Sequence, residues 1–291
     1  MAASNLIRIY EGEKIAEIYS KHRYAYPPLV AETIMNYLRK IYTNTDGNTF
    51  EYMLDVGCGT GRSTHAFSPF FKSILGIDIS EAQIEQAKKI NESDNIIFKL
   101  SDGHTFPVDD DSVDLVTCGA AAHWLDIKKF EEECERVLKP NGCCAIYIST
   151  FQDVRNLVET DDKVKPGSNS HVFRTCLREF LDDINAHERN YIAHDGYQDI
   201  FDRIHNTSKE WLTFRHEREY TLDKYRAYAR SINDYNIFID KEKPIVDPID
   251  VLAKKIKKTL GKENEPDEEV KVIIEYEYRF IMLTKSNTGT D

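Results

Sequence analysis

Met53-Leu54-Asp55-Val56-Gly57-Cys58-Gly59-Thr60-Gly61 decides the fold of this 291-residue chain. Phe50 to Val56 is apolar and β-prone, and reads as a buried strand. It runs into three glycines at alternate positions, Gly57, Gly59 and Gly61, and a helix is predicted from Gly61 to Phe71. Glycine permits a tight turn and lets backbone approach a ligand closely. Asp78 ends the next predicted strand, about 20 residues on, where a carboxylate can bind a ribose diol. Strand, glycine turn and acid in this order predict a site for a nucleoside-containing cofactor.

Working outward, Ser73 to Ile77 is a short apolar strand. Ser80 is a plausible N-cap for a helix to about Ile90, with Lys88 and Lys89 in its last turn. Strands follow at Asn95 to Leu100, Val113 to Cys118 and Cys143 to Ser149. A helix from Ile127 to Leu138 and the turn Lys139-Pro140-Asn141-Gly142 precede the last of these. Repeated strand-helix units imply a parallel, doubly wound sheet. The fold class expected is therefore α/β, a Rossmann-like seven-stranded sheet.

The second half reads differently. Asp161 to Ser170 is a polar loop; Val172 to Glu188 and Leu222 to Ile239 look helical; Trp211 to Tyr220 alternates like a strand, and Val270 to Leu283 is β-prone. These two strands are expected to complete the sheet, with the helices between forming a cap. The expected organisation is an N-terminal helical segment over 1–40, a cofactor-binding core over 41–150, cap and final strands over 151–285, and a disordered tail over 286–291.

Composition narrows the function. The net charge of −12 disfavours a nucleic-acid partner, because an acidic surface repels phosphate backbones. Lys254 to Lys258 reads as the wet face of a helix. No apolar run approaches the roughly 20 residues needed to span a bilayer, so no membrane partner is expected. Met1 to Ile7 has no cationic stretch followed by an apolar block, so a cytoplasmic location is expected, and a monomer is the default. The six cysteines form no CxxC pair; Cys143 and Cys144 would face opposite sides of a strand, and no metal site is expected.

The glycine spacing is not the dinucleotide G-x-G-x-x-G, and Asp55 stands just before it. A carboxylate there would repel a pyrophosphate but attract the ammonium of S-adenosylmethionine, directly or through water. At this point Leu54 to Gly61 with Asp78 resembles the cofactor site of class I S-adenosylmethionine-dependent methyltransferases. Ser101-Asp102-Gly103, Phe106-Pro107, Ser112 to Val116 and Arg136 to Gly142 are similar to later landmarks of that family. Tyr19 with Arg23-Tyr24-Ala25-Tyr26-Pro27, and Ala122-His123-Trp124-Leu125-Asp126, resemble the trans-aconitate methyltransferase-like (methyltransferase type 11) group. Tyr24 departs from that group's proline, and Ile232 and Asn233 depart from its late helix.

The resemblance implies S-adenosylmethionine as cofactor. The implied cofactor-binding residues are Asp55, Gly57, Cys58, Gly59, Gly61, Asp78, Ile79, Asp102, Gly103, Cys118, Gly119 and Ala120. Asp102 could bind adenine or cap the next turn. Tyr19, Arg23, His123 and Trp124 are candidates for a small-molecule acceptor, Arg23 by bidentate binding of a carboxylate. Trp124 could equally anchor the core, and Arg23 could serve a surface ion pair. His123 is the candidate catalytic residue, able to orient or deprotonate a substrate. Tyr225, Tyr228 and Tyr235 are either cap core or substrate wall. O-methylation of a carboxylic acid is the expected activity. The alternatives are C- or N-methylation of a lipid or metabolite, a cofactor-binding pseudoenzyme, or a nicotinamide oxidoreductase.

Overall fold

The computed structural model describes residues 12–23, 25–42, 49–156, 170–206 and 208–285. The tail over 286–291, Tyr24 and all but the last residue of the polar loop lie outside them. The described residues form a seven-stranded sheet in the order β3-β2-β1-β4-β5-β7-β6. Its parallel part is β1 (Phe50–Val56), β2 (Phe71–Asp78), β3 (Ile96–Leu100), β4 (Val113–Gly119) and β5 (Leu138–Asn156). The strands expected late in the chain, β6 (Glu210–Thr221) and β7 (Lys271–Thr284), complete it in antiparallel pairing beyond β5.

Alternation along the central strands splits the core between the two faces of the sheet. Met53, Ile74, Leu115 and Cys143 pack on one face with α2 (Pro28–Ile41) and α5 (Ser170–Asp183). Leu54, Leu75, Val116 and Cys144 pack on the other with α4 (Ile127–Val137). Cys143 and Cys144 thus face opposite sides, as a strand's two-residue period requires. Buried parallel strands are apolar on both faces, so continuous rather than alternating hydrophobicity marked them.

Local chemistry sets the helix ends. The Ser80 hydroxyl accepts from the Gln83 amide and starts α3 (Glu81–Ile90). Asp126 caps α4 in the same way, and Asp247 followed by Pro248 starts α10 (Pro248–Thr259). Lys254 and Lys258 are exposed on α10 while Ile256 is buried, the amphipathic face read from the sequence.

Three helices differ from expectation. Gly61 to Phe71 is not one α-helix: a 3₁₀ segment spans Thr64–Phe70, and Phe71 already belongs to β2. Pro69 inside the segment has no N–H to donate, which disfavours a regular helix. The helix expected from Val172 to Glu188 stops at Asp183, where Asn185 turns to φ 47°, and His187 caps the separate α6 (Glu188–His194). Leu222 to Ile239 divides into α8 (Leu222–Arg230) and α9 (Asn233–Glu242), because Ile232 is extended between them. Helices α1 (Glu13–His22) and α7 (Gln198–Arg203) complete the set in the described residues.

Candidate cofactor and acceptor site

A cavity of about 300 Å³ lies at the carboxyl ends of β1, β2 and β4, between the sheet and the helices α5 and α8. This end is where an open α/β sheet leaves room for a ligand. Of the residues expected at the cofactor, Gly57, Cys58, Gly59, Asp78, Ile79, Asp102, Gly103, Gly119 and Ala120 line it. So do all four expected at the acceptor, Tyr19, Arg23, His123 and Trp124.

Asp78 organises the floor. Its Oδ2 accepts from the Gly59 amide at 2.8 Å and its Oδ1 from the Ser80 amide at 2.9 Å. One carboxylate therefore ties the glycine loop to the start of α3. Gly59 has φ +54°, and a Cβ built there meets nothing nearer than Gln83 Oε1 at 3.6 Å. Gly57 has another reason to be glycine: a Cβ there would stand 2.4 Å from the Ala121 methyl. Asp102 lines the cavity and also caps the following turn, accepting from the His104 amide at 2.9 Å.

Asp55, Gly61 and Cys118 lie behind the wall, outside the cavity lining. Asp55 is 1% exposed and accepts from Thr64 at 2.5 Å, Thr117 at 2.7 Å and Ser63 at 3.4 Å. Burial pushes its pKa up to about 6 against these hydrogen bonds. It braces the loop from beneath. Gly61 packs against Phe98, and Cys118 is wholly buried in the core.

His123 is buried, and its Nδ1 lies 2.7 Å from the Tyr197 hydroxyl. Burial first, then the charges of Arg189 and the nearby His187, push its pKa down to about 3. Burial also keeps the Tyr197 hydroxyl protonated. His123 is therefore a neutral, oriented wall group, poorly suited to take a proton. Trp124 rests beside His123 and His187 with ring centroids 4.8 and 5.4 Å away, and its carbonyl accepts from Arg189 at 2.6 Å.

The opposite end is cationic and aromatic. The Arg23 guanidinium lies over the Tyr19 and Tyr228 rings, 5.1 and 4.7 Å from their centroids, and donates to the Tyr228 hydroxyl at 2.8 Å. Arg62 lines the same cavity and donates to the Ser20 carbonyl at the end of α1. Burial lowers the Arg62 pKa, and the positive charges of Arg23 and Arg218 act in the same direction. Tyr225 and Tyr228 form wall, whereas Tyr235 is outside the lining and donates to Asp247.

Sequence reasoning missed Arg62, Gln83 and Tyr197. Arg62 was findable as a cation placed directly after the glycine loop. Tyr197 was not, since it meets His123 across 74 positions of sequence.

Residues 54–146 match the family model of the methyltransferase domain known as Methyltransf_11. These residues form a methyltransferase domain. It carries the glycine loop, Asp78, Asp102 and His123; Arg23 and Tyr228 lie outside its bounds. A Dictyostelium discoideum protein with a provisional methyltransferase name is 29% identical over 64% of this chain and 65% of its own length. The malonyl-[acyl-carrier protein] O-methyltransferase of Hahella chejuensis is 36% identical over 31% of this chain and 33% of its own. The alignments span less than two thirds of each relative. A solved structure described as a type II methyltransferase from Anaeromyxobacter dehalogenans shares the fold, with a TM-score of 0.64 at 18% identity over 91% of this chain and 98% of that one. The seven-stranded sheet thus has the Rossmann-like α/β fold of that structure. Among the described residues, no helix is long and apolar enough to cross a membrane.

Proposed function

We propose that the protein is an S-adenosylmethionine-dependent methyltransferase that O-methylates a small carboxylic acid. The observation that carries the acceptor is the pair Arg23 and Arg62 lining the cavity that Asp78 and the glycine loop also line. Two guanidinium groups within a partly buried, tyrosine-rich wall favour an anion. The donor set also fits the cofactor: acids, Asp78 and Asp102, accompany the loop where a pyrophosphate would demand cations. Asp78 would hold the ribose, and Ile79, Asp102 and Gly103 the adenine.

When bound, S-adenosylmethionine supplies an electrophilic methyl carbon on a sulfonium centre. The chain's work is alignment and exclusion of water. Arg23 holds the acceptor carboxylate, while Tyr19, Tyr26, Tyr228 and Phe151 wall the cavity. A carboxylate is already ionised at neutral pH, so no proton has to be removed. The neutral His123 suits this acceptor better than a hydroxyl or carbon acceptor, which would need a base. The Hahella relative's name, an O-methyltransferase acting on a malonyl group, supports the same class.

The test is a panel of carboxylic acids, phenols, amines and lipid quinols, assayed with labelled methyl donor. Acids are expected to turn over; inert acids beside a reactive class would remove the acceptor assignment. Arg23→Ala should raise KM for the acid about 10- to 100-fold, the worth of a charge-assisted hydrogen bond or two, while donor affinity stays within about twofold. Arg23→Lys should recover only part, lacking the planar fork. Because His123 titrates near 3, it stays neutral from mildly acidic pH upward. His123→Asn should change the height of the kcat/KM profile between about pH 5.5 and 9, not its shape. Loss of an inflection near the ordinary histidine value would show that His123 titrates as a base.

A further inference from the structure

Gln83 stands in the first turn of α3, with its backbone N–H donating to the Ser80 hydroxyl at 3.3 Å. The residue is 3% exposed and lines the cavity beside Gly59 and Asp78. Neither its Nε2 nor its Oε1 has a hydrogen-bond partner among the described residues. A buried primary amide with both ends unmet is costly, and native structures keep few of them. Its position in a ligand cavity gives that cost a purpose, since binding can then satisfy both atoms at once.

The required ligand chemistry follows from what surrounds the amide. Gln83 offers two donors and an acceptor. Asp78, its neighbour in the lining, offers acceptors only, and each of its oxygens already takes a backbone amide. A hydroxyl group both donates and accepts, so it can pair with the Gln83 amide and the Asp78 carboxylate together. We infer that Gln83 is a second recognition group for the sugar of the cofactor, binding a ribose hydroxyl beside Asp78. This rests on the proposed use of S-adenosylmethionine.

The experiment is calorimetric titration of wild type, Gln83→Met and Gln83→Asn with S-adenosylhomocysteine and with its 2′-deoxy and 3′-deoxy analogues. Methionine is close in volume and a good helix former, so α3 should persist. Gln83→Met should bind S-adenosylhomocysteine about tenfold more weakly and melt at a higher temperature without ligand, because the unmet amide is gone. Gln83→Asn keeps the amide but shortens its reach, so it should lose affinity with no gain in melting temperature. For one deoxy analogue, wild type and Gln83→Met should bind alike, identifying the hydroxyl. Wild-type affinity in both variants would overturn the inference, as would an equal loss for all three ligands. If the wild-type protein does not bind S-adenosylhomocysteine at all, the cofactor assignment falls with it; binding by wild type with indifferent variants removes only the role of Gln83.

Discussion

Asp78→Ala is expected to weaken binding of S-adenosylmethionine and S-adenosylhomocysteine by about 2–4 kcal/mol, roughly 30- to 1000-fold. The size comes from two losses at one carboxylate. The ribose loses a charged acceptor. The Gly59 and Ser80 amides also lose the group that holds them 2.8 and 2.9 Å from its oxygens, so the loop and α3 are no longer tied. Asp78→Asn should be nearly as damaging, because one of its two atoms becomes an NH₂ facing a backbone N–H. Calorimetry decides, after circular dichroism has shown that the variants fold. Affinity unchanged in a folded Asp78→Ala would mean that this acid shapes the turn and does not touch the ligand.

The second large effect is on stability. Asp55→Ala should destabilise the fold by about 2–4 kcal/mol, since buried hydroxyls of Ser63, Thr64 and Thr117 would lose their shared acceptor. Urea denaturation measures this, and a loss near zero would show that the hydroxyls find other partners. The same residue gives a pH signature. Burial raises its folded pKa from the ordinary 3.8 to about 6. Its proton-linked contribution is therefore complete below 3.8 and is lost as pH rises through about 6. Asp55→Asn cannot titrate. The stability of wild type minus that of Asp55→Asn should fall between about pH 4 and 6 and level off above, as linkage requires. A difference constant across that range would place the ordinary acid pKa at Asp55.

Asp55 also marks the border between what pattern can tell and what it cannot. Its place before the glycines was legible, and so was the idea that a phosphate would be unwelcome there. Its partners were not, because Thr117 reaches it from β4 across the parallel sheet and Thr64 from the 3₁₀ segment. The carboxylate read as a ligand to the cofactor lies outside the cavity lining and accepts from three hydroxyls beneath the loop. The helix predicted from Gly61 failed for a nearer reason, the proline at 69.

The sequence by itself determined the strands, though not their order in the sheet, because strand burial is written in local hydrophobic runs and the turns between them in glycine, proline and asparagine. It also determined the glycine loop and Asp78, which stand within about 20 residues of one another, the spacing of a single strand-helix-strand unit. Only the tertiary structure brought the parts of the proposed acceptor end together. Arg23, Arg62 and Tyr228 come from the C-cap of α1, the loop after β1 and α8, and meet because the cap closes over the sheet's carboxyl edge. Tertiary structure likewise sets the basicity of the candidate base His123, since burial and residues some 65 positions away, Arg189 among them, push its pKa down. Local chemistry is encoded by neighbours in the chain; desolvation and charge at a site are set by neighbours in space.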